Sequence, residues 1–143
     1  MDWKELHAGI ARVMQYYCSE YKTESLFKIG LETLQEIEEK WVPTLHALDP
    51  HKLIRSLEDL SILIHAQIHL HASLARKASS PFLGFHRIDY PQSDPPEWRK
   101  FITVKQSSGK VQIGELPLGY WGNLKDNYEA HNRDYQGVYD AKT

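Results

Sequence analysis

Apolar residues recur at helical spacing along the first half of the chain. Leu6, Ile10, Val13, Met14 and Tyr17 fall on one stripe, which predicts an amphipathic helix from about Trp3 to Cys18, ending near Tyr21. A second start follows at Thr23-Glu24-Ser25, where a hydroxyl caps free amides, and Leu26, Ile29, Leu31, Leu34 and Ile37 supply an apolar face up to Trp41. Pro43 stops or kinks that helix, because its ring removes an amide donor and crowds the preceding turn. Asp49 before Pro50 forms an N-cap and first-turn pair. From there Leu53, Leu57, Leu60, Leu63, Ile64, Ile68 and Leu74 carry a third helix of more than twenty residues to about Ala78. Three such helices with short connections bury their faces most simply as an up-down-up bundle, so the expected class is mainly α.

After Ser79 the pattern changes. Pro81, Pro91, Pro95 and Pro96 break regular structure, while Phe82, Phe85, Tyr90 and Trp98 give the stretch anchors that a flexible linker lacks. An ordered, Pro/aromatic-rich docking loop is expected. Phe101–Gln106 and Lys110–Glu115 then alternate around Ser107-Ser108-Gly109, the signature of a small β-hairpin, which needs another element to pack on. The C-terminal tail, with Tyr120, Trp121, Tyr128, Tyr135 and Tyr139 among polar residues, reads as extended, with one helical turn near Asp126. Residues 1–100 form the bundle with its loop, and residues 101–143 the hairpin and C-terminal extension of the same domain.

Composition narrows the partners. A chain of 143 residues suffices for one core but not for a nucleotide-binding domain plus a substrate domain. Seventeen Lys and Arg against nineteen Asp and Glu leave a net charge of −2, so no overall field attracts nucleic acid or anionic lipid. Neither nucleic acid nor membrane is an expected partner. The stretch Leu60–Leu74 is too short and too often interrupted by Ser, Gln and His to span a bilayer. The single Cys18 forms no internal disulfide and residues Met1–His7 show no signal-peptide run, so a reducing, cytoplasmic setting is expected.

Candidate chemistry is sparse. His65 and His69 are spaced i,i+4 and share a helical face as two metal ligands would, with His71 nearby. No Glu follows His65 as in a metalloprotease, and nothing marks further ligands, so core or interface histidines and no metal are expected. Cys18 lacks the setting of an activated nucleophile, and the glycines form neither G-x-G-x-x-G nor a P-loop, so this chain alone binds no dinucleotide. What remains is a cationic cluster, Arg76, Lys77, His86 and Arg87, beside Asp89 and Tyr90. Such a cluster either holds an anionic substrate or flavin phosphate, or pairs with acidic residues of a neighbouring domain.

Taken in order, these residues resemble the C-terminal domain of the succinate dehydrogenase/fumarate reductase flavoprotein family, and within it the adenylylsulfate reductase alpha-subunit branch. In that family a long helix ends in an Ala-Arg-Lys-Glu-Ser/Thr-Arg stretch and leads to an Arg-x-Asp-Tyr/Phe-Pro loop. Ala75-Arg76-Lys77-Ala78-Ser79 and Arg87-Ile88-Asp89-Tyr90-Pro91 match these, and Asp94 with Glu97-Trp98 matches the acidic-then-Trp stretch that follows. Leu6 to Tyr17 resembles the family's L-x-x-I-M-x-x-Y helix and Gly30-Leu31-Glu32-Thr33-Leu34 its G-L-x-x-L turn.

The resemblance implies a helical domain or subunit of an FAD-dependent oxidoreductase that packs on a flavin-bearing domain or subunit. FAD and the hydride chemistry then belong to that partner, an iron–sulfur subunit is a further implied partner, and no residue of this chain is catalytic by itself. The family's arginine after Ser/Thr is replaced here by Ser80-Pro81-Phe82, which leaves Arg87, with His86 beside it, as the first candidate for an anion contact. A second reading is a protein-interaction module with no redox role, anchored by Phe85, Trp98 and the arginine of the loop. A third is a small metal-dependent enzyme built on His65 and His69.

Overall fold

A computed structural model describes residues 1–119, 122, 123, 126, 127, 129 and 130. Helix α1 runs Trp3–Tyr17, capped where Asp2 Oδ1 accepts from Lys4 N at 3.2 Å. Helix α2 (Glu24–Glu36) starts at Thr23, whose hydroxyl accepts from Leu26 N, and α3 (Pro50–Ala75) starts at Asp49, which accepts from Lys52 N at 2.8 Å. All three starts lie where the sequence placed them. The end of α2 differs: the chain passes through a π-helical turn (Ile37–Trp41) and a 3-10 turn (Val42–Thr44) that accommodates Pro43 near its start.

Contacts between side chains establish the up-down-up order. Asp2 and His7 pair with Lys52 and Asp59 in the same order, so α1 and α3 run parallel, whereas Gly30 of α2 faces Leu70 and Glu38, in the π-helical turn beyond α2, meets the earlier Gln67, so α2 runs antiparallel to α3. Leu6, Ile10, Val13, Phe27, Leu34, Ile37, Leu63, Ala66 and Leu70 form the core. Burial of each large side chain contributes about 1.5–3 kcal/mol. Two glycines set the closeness of the helices. A Cβ on Gly9 would lie 2.5 Å from the Trp41 ring, and one on Gly30 would lie 2.9 Å from Tyr17 Cβ and 3.0 Å from Leu70 Cδ1.

The buried face of α3 is not the one expected. Leu60, Leu63 and Leu74 do face the core, but Leu53, Leu57, Ile64 and Ile68 are exposed. The buried stripe runs instead through Ser56, Asp59, Leu63, Ala66, Leu70 and Ser73, at spacings of three and four. Small residues there let α1 and α2 approach, and α3 carries apolar residues around so much of its circumference that periodicity alone does not choose a face. On α2 likewise, Phe27 and Gly30 are buried while Ile29 is exposed.

The loop is ordered by short elements: 3-10 turns at Pro81–Leu83 and Pro96–Trp98, and a two-residue parallel ladder in which β2 (His86–Arg87) pairs with β1 (Tyr21–Lys22). The hairpin joins β3 (Lys100–Ser107) and β4 (Lys110–Pro117) in antiparallel register, with Ser108 (φ 51°) and Gly109 (φ 74°) turning it. It lies against α3. Helical backbone is present at 126–127 and 129–130; Tyr120, Trp121, Tyr128, Tyr135, Tyr139 and the extended path expected for the tail lie outside the described residues. No helix among the described residues is long and apolar enough to cross a membrane.

Gly30→Ala is expected to destabilise the fold by about 1–3 kcal/mol, since the new methyl group has no room at the triple helix contact. Urea unfolding with an unchanged m-value measures it. A variant as stable as the parent would show that the helices separate freely there.

Candidate functional site

Helix α3 ends at Ala75, and its C-cap Arg76 turns to extended backbone. The next residues, Ala78, Ser79 and Ser80, are buried, and Ser79 organises the loop. Its hydroxyl accepts from Arg87 N at 2.8 Å and lies 2.8 Å from Tyr90 O, to which it donates; its backbone N–H donates to Gln92 O and its carbonyl accepts from Asp94 N. Ser80 and Phe85 exchange both backbone hydrogen bonds, at 2.7 and 3.0 Å, so Pro81–Gly84 projects as a closed tip. Gly84 makes the turn at φ 64°.

Arg87, the first of the cationic candidates, lies inside the domain at 1% exposure. Its Nη1 donates to Ser73 O at 2.9 Å and Arg76 O at 2.8 Å, satisfying carbonyls that the end of α3 leaves free. Its Nε and Nη2 donate to the two oxygens of Asp89, each at 2.7 Å, a two-point pairing that only a planar guanidinium matches. The guanidinium carbon lies 5.1 Å from the Phe27 ring centroid and 4.9 Å from that of Tyr90. Asp89 also accepts from Glu24 N at 2.8 Å, tying the first turn of α2 to the same pair. The Arg87 hydrogen bonds, then the Glu24 amide, hold the Asp89 carboxyl down at about 2 against the ordinary 3.8.

The other candidates surround this clamp. Arg76 reaches Asp94 Oδ1 at 3.3 Å and Trp98 O at 3.2 Å, and Lys100 Nζ sits 4.4 Å from the Trp98 ring centroid. His86 is half-buried with its ring tilted on Tyr21, and half-buried Phe85 packs on the core beneath the Lys22 ammonium. Lys77 is exposed. The structure thus brings Arg76, Arg87, Asp89 and Tyr90 into one network, sets His86 and Phe85 on its β1 side, and leaves Lys77 in solvent. Beyond them Phe82, 94% exposed, and Leu83, 73% exposed, stand out from the tip.

A depression of about 500 Å³ opens beside Asp89 and Tyr90 at the start of α2. Two of the helix-start amides there are already engaged, Glu24 N by Asp89 and Leu26 N by Thr23. On α3, His65 and His69 are exposed, and His65 Nδ1 bonds to Ser61 O at 2.7 Å. Among the described residues no three His, Cys, Asp or Glu side chains come together as a metal ion would need.

Sequence reasoning missed three participants. Ser79 carried no motif of its own beyond the helix-end match. Lys22 is buried, donating to the Ser19 and Glu20 carbonyls. Asp59 is buried on α3 and pairs with His7 at 2.8 Å, its second oxygen lacking a hydrogen-bond partner among the described residues. Because periodicity did not choose a face of α3, nothing in the sequence marked Asp59 as buried.

Two outcomes follow from the clamp. Arg87→Met should cost about 3 kcal/mol by urea unfolding, because it leaves Asp89 without its cation and the end of α3 without its donor. The depressed Asp89 pKa makes its contribution fully present above about pH 4 and lost as the pH falls toward 2, worth about 1 kcal/mol once solvent screening of this exposed carboxylate is allowed for. Thermal melts from pH 5 to 2 should show Asp89→Asn losing less stability than the parent; equal losses would place the acid sensitivity elsewhere.

The family described as "Fumarate reductase flavoprotein C-term" matches residues 7–135. No curated protein matches the chain by sequence. Adenylylsulfate reductase from the hyperthermophilic Archaeoglobus fulgidus aligns over 82% of this chain and 19% of its own, at 23% identity and a TM-score of 0.75. A variant of E. coli quinol fumarate reductase FrdA aligns over 82% and 21%, at 19% identity and 0.73, and the Mycobacterium smegmatis Sdh1 complex over 82% and 20%, at 18% and 0.68. The chain therefore spans about a fifth of the length of each aligned chain, and the likeness shows a shared fold. From the match over residues 7–135, the chain belongs to the fumarate reductase flavoprotein C-terminal family.

Proposed function

We propose that this chain serves as the C-terminal helical domain or subunit of an FAD-dependent oxidoreductase, docking on a flavin-bearing partner and contributing no catalysis by itself. FAD stays with that partner, an iron–sulfur subunit completes the electron path, and the assembly works in the cytoplasm. The observation that carries this reading is the loop after α3. An internal clamp fixes it from below, while Phe82 and Leu83 project outward with no apolar cover among the described residues. A rigid tip of this kind loses little conformational entropy on docking, which suits an aromatic anchor in a partner's pocket.

The polar candidates take two roles in this reading. Arg87 positions the loop from inside through its pairing with the more exposed Asp89, with Arg76 and Tyr90 supporting them. Lys77 and His86, nearer the surface, supply the contacts to the partner, either acidic side chains or an anionic group near the flavin. Phe85 and Trp98 hold the underside of the loop at the junction.

Tagged chain is captured from its native cell extract and the visible spectrum of the eluate recorded. A yellow partner with flavin absorbance is expected, and Phe82→Asp should reduce its recovery by about tenfold. Because Phe82 is almost wholly exposed, its melting temperature should stay unchanged. A colourless partner lost with the same substitution would identify the loop as a docking element without a redox role. Recovery unaffected by Phe82→Asp would remove the tip from the interface.

A further inference from the structure

On another part of the domain, a trough of about 760 Å³ runs between α2 with its π-helical turn, α3 and the β3–β4 hairpin. It shares no lining residue with the loop after α3. Its floor is apolar: Leu31 from α2, Ile64 and Ile68 from α3, and Val104 and Val111 from the hairpin. Ile64, Ile68 and Val111 are each more than 40% exposed, far more than ordinary packing leaves. Leu53 and Leu57 extend the same face of α3 toward its start, so the apolar track from Leu53 to Ile68 is about 22 Å long. That length suits a helix laid alongside α3 better than a compact small molecule.

The rim has one sign of charge. Glu32, Glu38 and Glu39 line it, and no Lys or Arg does among the described residues. Glu38 accepts from Gln67 Nε2 at 2.6 Å and Glu39 from Gln35 Nε2 at 2.9 Å, so amides orient these two carboxylates without neutralising them. None of the three enters an ion pair among the described residues. Among the described residues His71 is the one basic residue lining the trough, and burial pushes its pKa down, away from a compensating positive charge. Lys105 and Lys110 fall on the opposite face of the hairpin by strand alternation.

We infer that this trough docks an amphipathic helix of a protein partner, its apolar face on Ile64 and Ile68 and its Lys- or Arg-bearing edges against Glu32, Glu38 and Glu39. Charge decides between this occupant and a second copy of the chain. Two copies meeting here would bring acidic rim against acidic rim, whereas a basic helix gains on both its apolar face and its flanks.

The probe is a fluorescein-labelled helical peptide of Leu and Lys, about eighteen residues long, with a Leu/Glu peptide of the same pattern as its counterpart. Binding to the full chain is followed by anisotropy across a salt series. The Leu/Lys peptide should bind about tenfold more tightly than the Leu/Glu peptide, and Ile64→Asp should weaken it by about tenfold. The double variant Glu38→Gln, Glu39→Gln should weaken binding and flatten its salt dependence; these side chains are exposed, so the variant keeps the test decisive should Ile64→Asp fail to fold. Equal binding of both peptides, or binding that neither variant alters, overturns the inference. So does sedimentation showing a dimer that Ile64→Asp dissociates, which would make a second copy the occupant.

Discussion

One guanidinium holds the loop end of this domain together. Arg87 reaches it from the loop, yet its hydrogen bonds go to the last carbonyls of α3 and, through Asp89, to the first amide of α2. Burying such a charge is favourable only where its donors are matched, and here backbone oxygens and a carboxylate match them. Two aromatic rings, from Phe27 and Tyr90, close over it. The loop is therefore built like the interior of a protein, although four of the chain's seven prolines deny it regular structure.

Helix starts were legible in the sequence because each depends on a local interaction, a side-chain oxygen accepting from an amide two or three residues on. Thr23 and Asp49 do this where the sequence marked a cap, and Asp2 does the same for α1, whose start was read from its apolar stripe alone. The hairpin was legible for a similar reason, its alternation and its Ser-Gly turn being short-range signals. What could not be read was long-range. Nothing local distinguishes Ile64, which faces out, from Leu63, which faces in, on a helix apolar nearly all round. The choice was made by Ser56, Ala66 and Ser73, whose small side chains admit the neighbouring helices.

The candidate site divides in the same way. The run from Arg87 to Pro91 stood out in the sequence, and with it the family. Its chemistry did not, because a charged residue in a proline-rich stretch reads as a surface group until its burial is seen. Arg87 and Lys77 look alike in the sequence, but one supports the loop from within and the other meets solvent. The large apolar side chains left in solvent cluster at the Phe82–Leu83 tip on one surface and on the open face of α3 on another.

The bond from Glu24 N to Asp89 spans 65 residues, and it bears on how the domain is made. As the chain leaves the ribosome, α1 and α2 emerge long before the carboxylate that completes the first turn of α2. Chains grow at about 5–20 residues per second, so that turn waits for seconds with one amide still served by water. The loop thus arrives after all three helices and closes two helix ends at once, and until then a nascent chain has its helices but not the clamp that joins them.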